Sequence, residues 1–201
     1  MEKDLWIIED ELSARGVSVI AGTDEAGRGP LAGPVFAAAV ILPRNAVLPG
    51  LNDSKKLSPQ KREKLYDMII SSAVSYFVAS SNVEEIEHIN ILEASLLAMR
   101  RSISGLSLRP DFLLIDGNIC RGFDVPAKAV IGGDGLSASI AAASILAKVS
   151  RDRHMLTLAE KYPEYGFEKH KGYGTREHVE AILRAGPCPE HRLSFLKNIK
   201  Y

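Results

Sequence analysis

The chain lacks most of the features that would assign it quickly. Among 201 residues there are only two cysteines, Cys120 and Cys188, far apart and without C-x-x-C spacing, which argues against a disulfide or a zinc site. No apolar run nears the roughly 20 residues that a membrane-spanning helix requires. Met1-Glu2-Lys3-Asp4 is not the n-region of a secretory leader. The expectation is a cytoplasmic protein with no membrane partner. Internal repeats, low-complexity tracts and disordered linkers are also missing, so a chain of this length is expected to build one substantial core. Net charge is zero, with 25 basic and 25 acidic side chains, but the balance hides an asymmetry. Residues 148–201 hold 11 Lys and Arg against 7 Asp and Glu, leaving 14 against 18 for residues 1–147. An acidic centre beside a basic surface suits a polyanion whose phosphates meet lysines.

What is present is acid at the ends of apolar runs. Asp24-Glu25-Ala26-Gly27-Arg28-Gly29-Pro30 follows a predicted strand, Val17 to Thr23. Consecutive strand side chains point to opposite faces, so two such acids can converge only where the strand is ending. Asp111 to Gly117 is a second apolar strand running into Asp116, and Val125 to Ile131 a third that runs into Asp134 among Gly132, Gly133 and Gly135. Sites in open sheets gather at the C-terminal ends of strands, where these acids could meet. Gly27, Gly29 and Ala32 also satisfy a dinucleotide fingerprint, with Asp53 about 20 residues further on. That motif needs a helix opening in the loop. Here Pro30 and Pro34 interrupt, and residues 34–42 read as a buried strand closed by Pro43.

The remaining elements interleave. Residues 3–15 and about 90–104 have helical spacing, Ser58 caps a helix with Pro59 at its first position, Val74 to Ala79 reads as a strand, and a long helix starts near Ser137. The pattern is α/β or mixed α+β, with an antiparallel neighbour implied by the 17–42 pair.

Five blocks in order resemble the motifs of the ribonuclease HII family. They are Asp24 to Pro34; Asp53-Ser54-Lys55-Lys56-Leu57; Gly133-Asp134 with Ser139 to Val149 and Arg151-Asp152; Gly166-Phe167 with His170 to Thr175; and Gly186-Pro187 with His191 to Phe195. The resemblance implies an RNase H-like fold, a five-stranded mixed sheet flanked by helices. Residues 1–160 would form the catalytic domain, and residues 161–201 a helical substrate-binding region packed on it. It further implies endonucleolytic cleavage of RNA in RNA–DNA hybrids and 5′ to ribonucleotides embedded in duplex DNA, using two divalent cations, Mg2+ or Mn2+, and the expected state is a monomer.

By position, Asp24, Glu25, Asp116 and Asp134 match the family's metal-binding carboxylates. Gly27, Arg28 and Gly29 match the loop whose backbone reaches the ribose 2′-hydroxyl, glycines leaving room for that approach. Tyr173 matches the tyrosine at the RNA-to-DNA junction. Lys55, Lys56, Lys148, Lys169 and Lys171 are candidates for phosphate contacts, with a solvated surface as the competing reading. Asp152 is expected to pair with Arg151, Arg153 or the helix surface. Gly132 stands where many relatives carry Lys, and Leu196 to Tyr201 stands where relatives often have a Pro-containing tail, which leaves a replication-clamp partner unassigned. Two alternatives stay open. A ribonuclease HIII-like enzyme would carry an additional N-terminal domain, for which about 16 residues before the first strand leave no room. A non-catalytic hybrid-binding protein would be expected to have lost an acid.

Overall fold

A computed structural model describes residues 4–44 and 46–199, with every side chain there except that of Lys56. A five-stranded mixed sheet forms from β1 (Ile20–Ala26), β2 (Val35–Ile41), β3 (Ser75–Ser81), β4 (Phe112–Asp116) and β5 (Ala127–Val130). Its order is β3-β2-β1-β4-β5. The first three strands pair antiparallel, while β4 and β5 run parallel to β1. The helices are α1 (Ile7–Ala14), α2 (Pro59–Ser72), α3 (Val83–Ser104), α4 (Ala138–Lys161), α5 (Phe167–His170) and α6 (Arg176–Ala185).

Strand periodicity decides what each face of the sheet meets. Ala38 and Val40 pack with Leu65 and Ile69 of α2 and the alanines of α4. Ala21, Ala37 and Ile41 face the other way, onto Ala94, Leu96 and Met99 of α3. Small side chains let α4 lie directly on β1. A Cβ built at Gly22 would stand 2.2 Å from the Ser139 backbone carbon, so only glycine permits this contact. The N-terminus of α4 is fixed from outside as well as by its Ser137 cap. Buried Glu9 of α1 accepts from the Ser139 N–H at 3.0 Å and from the Ser137 and Ser139 hydroxyls, a carboxylate where unsatisfied N–H groups and the helix dipole favour one.

Two boundaries differ from those expected. The first strand starts at Ile20 rather than Val17 and continues to Ala26, because β2 goes on pairing through Ala26↔Phe36. Asp24 and Glu25 are therefore inside the strand. The expected start at Asn90 is an interior break: Asn90 has φ 67°, and its side chain accepts from the N–H groups of Leu92 and Glu93, capping the second part of α3. The first part opens at Asn82 with a reciprocal capping box to Glu85.

Candidate active site

β1 is paired on both sides only as far as Thr23. The parallel ladder to β4 has its last pair at Thr23↔Ile115, while the antiparallel ladder to β2 continues, so Asp24 and Glu25 lie along a half-opened strand. Their side chains go to opposite faces. Asp24, 4% exposed, turns towards α4, where the Ser144 hydroxyl hydrogen-bonds it, and it also accepts from the Glu25 N–H at 2.7 Å. Glu25 turns towards α3, into a small cavity it shares with Ser95 and Asp116, and is held by Arg28 at 3.3 Å. Asp116 ends the neighbouring strand and accepts from the Gly133 N–H at 2.7 Å, which ties the Gly133–Gly135 turn to β4. That turn carries Asp134, 7% exposed, with the Lys55 ammonium 3.5 Å away.

The four acids feel one another. Asp24 is pushed well above the ordinary carboxylate range, first by burial, then by the charges of Glu25 and Asp116. Glu25 is raised by burial and by Asp116, against the pull of Arg28 and Lys55. Asp134 is raised by burial, then by Asp53 and Asp116, against Lys55. The set is all oxygen, largely buried and short of positive charge, which is the donor chemistry of a hard divalent cation. Each acid is nonetheless held by its own partner, and among the described residues no three Asp, Glu, His or Cys side chains are gathered tightly enough to hold one ion.

The Gly27-Arg28-Gly29 loop follows directly. Gly27 has φ +99°, and a Cβ there would lie 2.0 Å from the Arg151 Nε, so this glycine answers to packing against Arg151 rather than to an approach from outside. Gly29 is the position that leaves open space: its nearest neighbour is a ring carbon of Tyr173, at 3.8 Å. Tyr173 is 45% exposed, with the Lys148 ammonium 6.0 Å from the ring centre. Its backbone is fixed from below, where its carbonyl meets His178 Nδ1 at 2.9 Å and His178 Nε2 meets His191 Nε2 at 3.0 Å. Burial drives both histidines down to about 4, so they are neutral at pH 7.

The structure thus brings Asp24, Glu25, Asp116, Asp134, Lys55 and Arg28 into mutual electrostatic or hydrogen-bond reach. Gly29 and Tyr173 adjoin them through the loop. Lys169 and Lys171 line a separate groove of about 330 Å³ with Arg62 and Arg153, and Lys148 joins that groove to the Tyr173 ring. The Lys56 side chain lies outside the described residues. Asp152 does not pair with Arg151 or Arg153: Lys148, one helical turn back, holds it at 2.7 Å, and Arg62 stands 3.8 Å away. Arg151 is instead buried on the carbonyls of Ala32, Pro34 and Lys171, and Arg153 pairs with Glu63.

Sequence reading missed four contributors: Ser144, Asp53, Arg151 and Arg192. Asp53, which the dinucleotide fingerprint would put on a ribose, caps the Ser54–Lys56 turn and faces Asp134. Its signal was the Asp-Ser pair opening that block. Both arginines lie in blocks of the resemblance, but nothing in the sequence says that their acceptors are backbone carbonyls.

The family model described as Ribonuclease HII matches residues 21–198. A ribonuclease HII from Caldicellulosiruptor bescii is 52% identical over 198 residues, covering 98% of this chain and 96% of its own length. The crystal structure of the ribonuclease H2 from Pyrococcus horikoshii OT3 superposes with TM-score 0.75 at 27% identity, over 90% of this chain and 97% of that one. The ribonuclease HII in the PCNA complex from Archaeoglobus fulgidus gives TM-score 0.72 at 26% identity, with the same coverage.

Proposed function

This chain belongs to the ribonuclease HII family, and from that premise we propose that it is a divalent-metal-dependent endonuclease. It cuts the RNA strand of RNA–DNA hybrids and the 5′ side of ribonucleotides embedded in duplex DNA, leaving 3′-hydroxyl and 5′-phosphate ends. The reading rests on one observation above the others: buried, mutually repelling carboxylates stand beside a loop that ends in open space against an exposed tyrosine.

Asp24, Glu25, Asp116 and Asp134 would hold the ions, Mg2+ or Mn2+. When bound, such ions supply a water nucleophile at neutral pH and offset charge on the departing 3′-oxygen. The chain's own residues do the positioning. Gly27, Arg28 and Gly29 bring backbone groups to the 2′-hydroxyl, the group that marks RNA at that step. The Tyr173 ring packs on the sugar at the junction. Lys55, beside Asp134, meets the reacting strand, and Lys56, Lys148, Lys169 and Lys171 meet phosphates further along the duplex. In this reading residues 161–201 form the substrate-binding region, and the enzyme works as a monomer in the cytoplasm. A non-catalytic hybrid binder has no comparable support, since all four acids are present, and neither has a ribonuclease HIII-like enzyme, since the matching family model and the curated relatives are ribonuclease HII.

The test is cleavage of an end-labelled DNA duplex containing one ribonucleotide, mapped to the nucleotide. One cut on the 5′ side, present with Mg2+ or Mn2+ and abolished by chelator, is expected. Cleavage that persists in chelator, or an intact duplex with metal, overturns the reading.

A further inference from the structure

Arg192 is completely buried, and all five of its N–H groups end on backbone carbonyls of one loop. Nε donates to the Gly33 carbonyl at 2.9 Å. One terminal nitrogen donates to Arg28 at 3.0 Å and Pro30 at 2.9 Å, the other to Gly27 at 2.7 Å and again to Gly33 at 2.6 Å. The backbone adds to this seam: the Arg192 N–H donates to the Leu31 carbonyl and the Gly33 N–H to the Glu190 carbonyl, both at 2.8 Å. Five bonds from one planar fork fix an orientation as well as a position.

The orientation has a consequence at the other edge of each peptide. A trans peptide points its C=O and N–H in opposite directions, and among the described residues no peptide bond is cis. With the carbonyls of Gly27 and Arg28 both drawn inward to one guanidinium, the N–H groups of Arg28 and Gly29 must face outward. Neither donates to a protein acceptor among the described residues. They emerge on the side where Gly29 leaves open space against Tyr173. Successive outward N–H groups are a donor pair suited to a hydroxyl or a phosphate oxygen.

From this we infer that Arg192 is a positioning residue for ribose recognition: it aims the Arg28 and Gly29 amides at the sugar by holding the carbonyls behind them. The inference rests on the reading that the Gly27-Arg28-Gly29 loop contacts the 2′-hydroxyl. Arg101 of α3 provides the internal control. It too donates to a backbone carbonyl, that of Ser80 at 3.0 Å, and it pairs with Glu85, but both partners lie on β3 and α3, so it aims neither amide.

The experiment compares binding of two duplexes in chelator, one carrying a single ribonucleotide and one all DNA, for the wild type, Arg192→Lys and Arg101→Lys. The ratio of the two affinities cancels any loss of folded protein. Arg192→Lys keeps the charge but not the fork, and is expected to shrink the ratio about tenfold, the worth of one well-made hydrogen bond or two weak ones. Arg101→Lys should leave it near the wild-type value. If Arg192→Lys preserves the wild-type ratio, Arg192 is only a structural clamp and the inference fails. A wild type without any preference removes the sugar-reading loop, and the inference with it. Should Arg192→Lys not fold, amide hydrogen exchange on the wild type decides. Arg28 and Gly29 amides that exchange freely alone and are protected only by the ribonucleotide duplex support the aim described. Amides already protected in the free protein overturn it.

Discussion

At the acidic end of the sheet, Asp24 and Asp134 are buried beside further carboxylates, and burial together with repulsion raises both. Some way along the same surface, Arg151 and Arg192 are buried as deeply, yet their donors meet carbonyl oxygens held at hydrogen-bond distance. Burial disfavours their charge as well and so lowers them, to about 10 and about 9, which still leaves both guanidiniums charged at pH 7. Buried charge costs less when hydrogen bonds meet it than when like charges do. The arginine region is finished by the fold itself and holds a shape. The acidic region is left electrostatically open, and its deficit is one that a cation would fill.

The largest effect should come from breaking the open region. Asp24→Asn removes a proposed ligand and also relieves repulsion, so function and stability should move in opposite directions. Single-turnover cleavage is expected to fall by about a thousandfold or more, while the metal-free melting temperature stays level or rises. The check is cleavage kinetics beside thermal melts in chelator. A variant that cleaves at a near-normal rate would take Asp24 out of the mechanism, and one that melts much lower would make it a structural acid.

Why the open region was legible in sequence and the closed one was not follows from the same contrast. Acids of a candidate site announce themselves because a short polar residue at the end of an apolar run has no other obvious use, and three such runs end in Asp24-Glu25, Asp116 and Asp134. The strand that carries Asp116, the strand that leads to Asp134, the Ser58-Pro59 helix start and the Ser137 cap were readable for similar local reasons. Arg192 binds carbonyls some 160 residues away in the chain, and nothing at position 192 records this. The start of the first strand was misread because Val17 to Val19 is as apolar as the strand itself, while pairing with β2 is what sets the limits. The Asn82-x-x-Glu85 box was visible and went unused.

A second break lies where the two regions meet, at Tyr173. Its ring faces the Gly29 gap, while its carbonyl is tied to His178 in the closed region. Tyr173→Ala deletes the ring and keeps the carbonyl. Cleavage at a single embedded ribonucleotide should drop by roughly 10- to 100-fold, the scale at which lost positioning acts, with a much smaller change in affinity. Long hybrids, which offer many registers, should suffer less. Wild-type rates on both substrates would reduce Tyr173 to a prop for its turn.

The smallest effect sharpens the contrast through pH, because the two regions respond with opposite sign. Asp134 has a raised affinity for protons when folded, so its ionised form weighs against folding; that penalty is absent at strongly acid pH and grows as pH rises through its raised pKa. His178 and His191 are held down at about 4 against an ordinary 6.5, so their contribution to folding is complete above about pH 6.5 and is lost as pH falls towards 4. In chelator at pH 7.5, Asp134→Asn should raise the melting temperature by about 2–4 °C, the response to roughly 1 kcal/mol in a domain of this size. As pH falls that gain should shrink, because Asp134 takes up its proton at a higher pH when folded than when unfolded, while both proteins lose stability together through the histidine pair. Melts of the two proteins at several pH values, with and without Mg2+, separate the contributions. If Asp134→Asn instead lowers the metal-free melting temperature at every pH, the hydrogen bonds of the Gly133–Gly135 turn outweigh the repulsion, and the acidic end is as self-sufficient as the arginine region.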